Sequence, residues 1–293
     1  MTAPAGIVDA HQHVWDLTAH EQPWLRLPGH ESLLRTFTEA DLAPQARAAG
    51  VTATIVVQTV TEPTETPELL ELAASSNLVA GVVGWVDLQA DDVAEALAGL
   101  RERPAGAWLR GIRHPVLIED DPLWLVRPAV LRGLAAVGAA GLCYDLVLPP
   151  EVLPAAVRAA TACPGVTFVL DHLGNPRLDG DHCARPDPRW VRDIGQFAAL
   201  GNTVCKLSGI LAEPPPAPPP GRQPVAHLVP WYQTVLGEFG PDRLMFGSDW
   251  PVCTLSAPYA SVVAAAHELT ADLSSRERGM ILGGTARRVY QIG

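Results

Sequence analysis

Two of the chain's nine histidines stand two residues apart at the end of an apolar run, in "GIVDAHQHVWD" at residues 6–16. On a strand, side chains alternate with period two, so His11 and His13 face one side, about 7 Å apart along the chain. Two imidazoles so placed can converge on one small target. Alone, an H-x-H pair equally suits a structural pair in a core or at a surface. Two later stretches offer company: "LDHLGNP" supplies Asp171 and His172, and "FGSDWP" supplies Asp249. Three histidines and a carboxylate suit a Zn²⁺ ion with an open position for a water whose pKa the metal lowers. Without a metal, Asp249 serves as general base and the histidines as donors that polarise a carbonyl. The residues leave both options open.

Such groups meet only if the fold brings the strand ends together. Eight short apolar runs alternate with alanine- and leucine-rich stretches of helical period, the pattern of repeated βα units. The runs start at Ile7, Thr52, Leu78, Leu109, Gly141, Thr167, Asn202 and Arg243, and most end in polar residues. Helices are expected between them, as in "TEADLAPQARAAG", where Thr38 can cap the start and Gly50 the end, and in "DDVAEALAGL", "PAVLRGLAAVGAA", "LPAAVRAATA", "PRWVRDIGQFAAL" and "VPWYQTVLGEF". No G-x-G-x-x-G fingerprint follows the first run, so a single-domain (β/α)8 TIM barrel over 1–293 fits better than a dinucleotide-binding sheet. In a closed barrel the first and eighth strands are neighbours, which sets Asp249 beside His11 and His13. His172, on the sixth, reaches the same mouth.

Composition narrows the function classes. The net charge is −11 with no Lys/Arg block, which gives nucleic-acid binding little support. No basic segment followed by an apolar core opens the chain, and no apolar run reaches about 18 residues, so a cytoplasmic protein with no membrane role is expected. Cys143, Cys163, Cys183, Cys205 and Cys253 lack C-x-x-C spacing and read as packing residues. The stretch 212–224, "AEPPPAPPPGRQP", reads as an extended loop after the seventh strand, either a stiff surface insertion or a wall over the pocket. No heptad seam marks a partner, and the oligomeric state stays open.

The motifs "DAHQHVWD", "RGIRHP", "DHLGNP" and "FGPDRLMFGSDWP", in this order, resemble the amidohydrolase superfamily, and within it the amidohydrolase-related lactonases of fuconolactone, rhamnonolactone and pyrone dicarboxylate. The resemblance runs from Ile7 to the terminal "ILGGTARRVYQ". It implies a hydrolase of carbohydrate catabolism that opens a cyclic ester, with Asp249 activating water and His11, His13 and His172 in the catalytic or metal-binding set. It also implies a small-molecule substrate, and a site that holds one Zn²⁺ or another divalent ion or works without one. The chain departs from the binuclear members in having no lysine or glutamate bridge on strand four and no histidine on strand five. Asn175 stands where the family motif has lysine, and Thr285 where asparagine is expected. A metal-dependent decarboxylase of a small carboxylic acid shares the same four residues and is the competing reading. A scaffold or sensor would be expected to have lost some of them.

Other polar residues at strand ends are candidates for substrate binding: Gln58, Trp85, Arg113, His114 and Tyr144, with Asp87 and Lys206 beside them. Sugar lactones offer several hydroxyls and a polarised carbonyl to such groups. Arg113 equally suits a pairing with a buried carboxylate, and His114 a satisfied core position. Lys206 reads better as a tether for Asp145 or another acid inside the barrel. Trp15 and Trp24 read as packing near the mouth, and His20, His30, His182, His227 and His267 are assigned no chemistry.

Overall fold

The structure, a computed structural model, describes residues 6–178, 185–209, 225 and 227–293. The stretch 212–224, His182 and Cys183 lie outside the described residues. Eight parallel strands form one sheet in sequence order, β1 (Ile7–Gln12), β2 (Val51–Val57), β3 (Val79–Gly84), β4 (Leu109–Pro115), β5 (Cys143–Val147), β6 (Thr167–Leu170), β7 (Thr203–Leu207) and β8 (Leu244–Phe246). Helices α1 (Glu39–Ala48), α2 (Glu65–Ser75), α3 (Val93–Glu102), α4 (Pro128–Ala139), α5 (Leu153–Ala162), α6 (Pro188–Ala198), α7 (Val229–Phe239) and α8 (Tyr259–Leu269) follow the strands. This is the TIM barrel expected from the alternation. The Asp41 carboxylate accepts the Thr38 N–H and hydroxyl at 2.8 Å each, which fixes the start of α1. No helix among the described residues is long and apolar enough to cross a membrane.

The circle closes through polar contacts rather than a ladder. The Asp249 N–H donates to the His11 carbonyl at 2.8 Å and the His13 N–H to the Trp250 carbonyl at 2.7 Å. Asp9 adds a side-chain clasp: its carboxylate accepts from Ser248 N–H (2.8 Å), His11 N–H (3.2 Å) and the Tyr259 hydroxyl of α8 (3.0 Å). Asp9 therefore faces outward, whereas Val8 and Ala10 belong to the interior apolar cluster. His11 is inside as well, so two successive residues share a side. The β1–β2 register shifts between Asp9 and Gln12, and such a bulge re-aims the chain. Beyond it alternation resumes, Gln12 turning to Thr54 while His11 and His13 point inward.

The interior has two storeys. Below, Val8, Ala53, Ile55, Val83, Val169, Val204 and Met245 pack against the last segment of the chain, where α9 (Ser275–Gly279) is followed by α10 (Thr285–Tyr290). Ala286, Val289, Tyr290 and Ile292 plug this end. Above, the inward positions turn polar at Arg113, Asp145, Asp171, Lys206 and Ser208. The runs that read as strands outlast the strands themselves, because the sixth and eighth leave the sheet where their functional residues begin. Tyr259→Phe, which removes one buried donor from Asp9, is expected to cost about 1.5–3 kcal/mol. Urea unfolding with an unchanged m-value checks this.

Candidate active site

Asp249 is the point of convergence. Its Oδ1 lies 3.4 Å from His13 Nε2, 3.6 Å from His11 Nε2 and 4.0 Å from His172 Nε2. The backbone at Asp249 sits at φ 59°, and His172 and Leu173 at φ 53° and 56°. Left-handed conformations are costly for such residues and persist where the surroundings impose them. They turn the sixth and eighth chain segments inward over the barrel rather than onward into helices.

Glycines make room for that turn. Gly209 follows β7 at φ +70°, and a Cβ there would stand 2.5 Å from His172 Cγ. A Cβ on Gly247 would stand 2.7 Å from the Cβ of His11. Each histidine is then held by its other nitrogen. His13 Nδ1 lies 2.7 Å from the Val57 carbonyl, which can only accept, so Nδ1 donates and Nε2 is turned to Asp249. His172 Nδ1 meets the Ser208 hydroxyl at 2.9 Å. His11 is deepest, with Nδ1 at 3.1 Å from Lys206 Nζ and 3.2 Å from Asp171 Oδ1.

Below the histidines lies a buried charge cluster. Lys206 Nζ stands 2.5 Å from Asp145 Oδ2 and 3.0 Å from Asp171 Oδ1, all three side chains fully enclosed. Tyr290 rises from the plug to donate to Asp145 at 2.8 Å. Arg113 Nη1 lies 3.3 Å from Asp171 Oδ2 and 3.3 Å from His11 Nε2, while its Nη2 donates to the Gln58 carbonyl and side-chain oxygen at 2.6 and 2.9 Å. Burial pushes His11 well below the usual imidazole range, and the Lys206 charge adds to the effect. Burial also lowers His172. Burial opposes ionisation of Asp249, yet His172, His13 and His11 together draw it below the usual carboxylate range. These shifts favour the neutral form of the His11 and His172 imidazoles and the charged form of the Asp249 carboxylate.

The structure brings His11, His13, His172, Asp249, Arg113 and Gln58 together. Trp85 and His114 form a separate pair, the indole donating to His114 Nδ1 at 3.1 Å while His114 Nε2 meets Glu119 at 2.8 Å and the ring stacks on Trp124. Both His114 nitrogens are thereby engaged. Tyr144 is fully buried on the sheet's outer face, edge-on to Phe168, away from the histidines. Trp15 packs edge-on against Trp24 and Phe37. Asp171, Ser208 and Gly209 received no role from sequence, although Asp171 adjoins His172 in the same motif. His20, also unassigned, joins the loop after β1 to Glu62 and Glu68 at 2.9 and 2.8 Å. The four described cysteines are buried and free.

Ligand atoms of His11, His172 and Asp249 all lie within 4.8 Å of one another. Two imidazoles and a carboxylate suit Zn²⁺, so the residues fit a single ion, with Nε2 of His13 beside them.

An amidohydrolase family model matches residues 8–292. The L-fucono-1,5-lactonase of Burkholderia multivorans is 37% identical over 290 residues, 97% of this chain and 96% of that protein. The L-fucono-1,5-lactonase of Burkholderia ambifaria is 32% identical over 293 residues, 97% and 95% of the two chains. A crystal structure of an amidohydrolase from Burkholderia multivorans with bound zinc superposes with a TM-score of 0.89 at 35% identity, covering 99% of this chain and 100% of that one.

Two outcomes test the geometry. Gly209→Ala is expected to lower turnover on the order of 100-fold through displacement of His172, with circular dichroism unchanged. With His11 and His172 both lowered and Asp249 ionised, the acid limb of kcat/KM should lie below the ~6.5 of free imidazole. An initial-rate profile against pH reads this directly.

Proposed function

The chain belongs to the amidohydrolase family, and on that premise we propose that it is a hydrolase opening a sugar-derived lactone, an aldonolactone such as L-fuconolactone or L-rhamnonolactone, to its hydroxy acid. The observation that carries this is the single Asp249 carboxylate oxygen facing three imidazoles across a buried mouth. A lactone needs a base to take a proton from water, donors for the oxyanion, and a proton for the departing ring oxygen. Asp249, held ionised, accepts the water proton. The hydroxide adds to the carbonyl, and Arg113 with His11, His13 and His172 surrounds the developing oxyanion. Asp249, now protonated, returns the proton to the ring alkoxide as the carbon–oxygen bond breaks. Gln58 keeps the guanidinium in place throughout.

A Zn²⁺ held by His11, His172 and Asp249 would supply Lewis-acid polarisation and a more acidic water. The charge balance supports a neutral substrate. Arg113 and Lys206, the interior cations among the described residues, are matched by Asp171 and Asp145. Among these side chains no cation is left over for a substrate carboxylate, so an anionic substrate would depend on a metal held by His11, His172 and Asp249. The 32–37% identity to L-fucono-1,5-lactonases points the same way.

The test is hydrolysis of aldono-1,4- and 1,5-lactones followed with a pH indicator, with and without prior chelation. One stereochemical group is expected to be hydrolysed, and Asp249→Asn to lower its kcat by about 10²–10⁴-fold without loss of fold. Near-wild-type turnover in that variant overturns the role of Asp249. Silence over the whole panel, with carbon dioxide released from small aromatic acids, carries the decarboxylase reading instead.

A further inference from the structure

His20 is a buried side chain that the chemistry above does not use. It belongs to the loop of residues 16–36 between β1 and α1, whose neck is closed by two backbone hydrogen bonds between Trp15 and Phe37, both 2.9 Å. Beyond the neck, the loop reaches the segment between β2 and α2 through polar side chains. Gln22 Nε2 donates to the Thr59 hydroxyl at 2.6 Å, while His20 Nδ1 meets Glu62 Oε2 at 2.9 Å and His20 Nε2 meets Glu68 Oε2 at 2.8 Å. An ionised carboxylate accepts and cannot donate, so each ring nitrogen must donate. The ring in that geometry is an imidazolium. Its surroundings favour the charge, because Asp16 of the same loop, Glu62 of the β2–α2 segment and Glu65 and Glu68 of α2 are all acidic, as is Glu39 of α1 on the wall of the adjoining cavity. Burial opposes the charge, yet the hydrogen bonds and charges of Glu68 and Glu62 raise His20 above the usual imidazole range.

The loop is not packed solidly against its neighbour. A cavity of about 200 Å³ lies beside the ring, bounded by Trp15 and Phe37 at the neck and by Leu69 and Leu72 of α2. Side chains that line a void forfeit contacts on that side, so the polar tethers matter more here. Both tethered parts also flank the site. Trp15 comes two residues after His13, and Phe37 packs edge-on to Trp250, the residue after Asp249, with ring centroids 5.5 Å apart. Across the mouth, the segment that carries Glu62 begins at Gln58, whose oxygens hold Arg113. We propose that His20 is a positioning residue: its imidazolium, clamped between Glu62 and Glu68, holds the β1–α1 loop against the β2–α2 segment and so keeps two flanks of the mouth in register for the substrate. The sign follows from linkage. A closed loop binds this proton more tightly than an open one with the ring in water, so closure is fully supported below the ~6.5 of free imidazole and is lost as pH rises through the raised value. One nitrogen then faces a carboxylate with no proton between them. The consequence is an alkaline fall in kcat/KM carried by KM. This effect on turnover rests on the hydrolase reading above, whereas the clamp itself does not.

The experiment is ¹⁵N NMR of ring-labelled histidine in the full chain, with His20 assigned by the signals lost in His20→Gln. Both His20 nitrogens should be protonated at pH 6 and titrate together, with a midpoint above the ~6.5 of free imidazole. Deuterium exchange over residues 16–36, corrected for intrinsic rates, should be about tenfold faster in His20→Gln at pH 6, the scale of a lost hydrogen bond to a charged group. His20→Arg, whose fork can reach two carboxylates and has the cavity to occupy, should restore slow exchange and keep it at pH 9, where the wild type speeds up. On whichever lactone is hydrolysed, the alkaline fall should vanish in His20→Gln, with KM high throughout, and move upward in His20→Arg. A midpoint at or below ~6.5 overturns the clamp, as does unchanged exchange in His20→Gln. Should His20→Gln not fold, Glu68→Gln, at a half-exposed partner, takes its place with the same expected exchange. Altered exchange with identical pH profiles of kcat/KM in wild type and variant overturns the effect on the site. If no lactone is hydrolysed, the reading above fails, and the spectrum and the exchange rates still decide the clamp.

Discussion

The ammonium of Lys206, fully enclosed between Asp145 and Asp171, is the interaction on which the upper storey of the barrel depends. Taking such ions from water costs several kcal/mol each, and mutual attraction offsets this only with short, well-placed contacts. Those contacts exist because β5, β6 and β7 are adjacent: Asp171 follows the Leu170–Cys205 pair and so stands beside Lys206, Asp145 is level with Val169 below it, and a long side chain from β7 reaches both acids. The tyrosine from α10 completes the set from the plugged end. Removal of one partner from a buried pair typically costs about 3–5 kcal/mol, so these residues must be kept or lost together. The cluster in turn surrounds Nδ1 of His11, so the same electrostatics that hold the interior together also govern the site.

A second requirement comes from the seam between β8 and β1. A barrel closed by a full ladder would leave no free edge at which to turn His11, His13 and Asp249 toward one another. Here the seam consists of two backbone hydrogen bonds and the Asp9 clasp, and the bulge after Asp9 lets the histidines share the interior with Val8 and Ala10. The strained backbone at His172 is accommodated by Gly209, where a Cβ would stand 2.5 Å from the imidazole, and Gly247 leaves the same kind of room for His11.

Much of this was legible in the sequence, for identifiable reasons. The alternation of apolar runs with helical periods gave the barrel, and period-two alternation put His11 and His13 on one face. Neighbourhood of the first and eighth strands brought Asp249 to them. The tether from Lys206 to Asp145 could also be read, since a lysine and an aspartate at inward positions of neighbouring apolar strands need each other. Asp171 and Ser208 were not legible as supports. Their effect depends on which ring nitrogen they meet, and that is set by side-chain geometry a linear pattern does not contain. The bulge escaped for a similar reason, since it leaves the apolar pattern of β1 intact.

The same difference separates the recognition candidates. Gln58, just after β2, and Arg113, on β4, meet across β3 beside the histidines, because Arg113 occupies an inward position on β4, level with Asp145. His114 and Tyr144, each one residue from an inward position, fall on the outer phase. Their rings pack against Trp124 and Phe168 instead. One step along a strand therefore decides whether a polar side chain faces the barrel interior or the helices. Where such residues stand side by side, Arg113 and His114 on β4 and Tyr144 and Asp145 on β5, only the phase fixed by the apolar neighbours separates the two. Ile112 and Leu146 already lie in the layer between sheet and helices, and that phase assigns Arg113 and Asp145 to the interior.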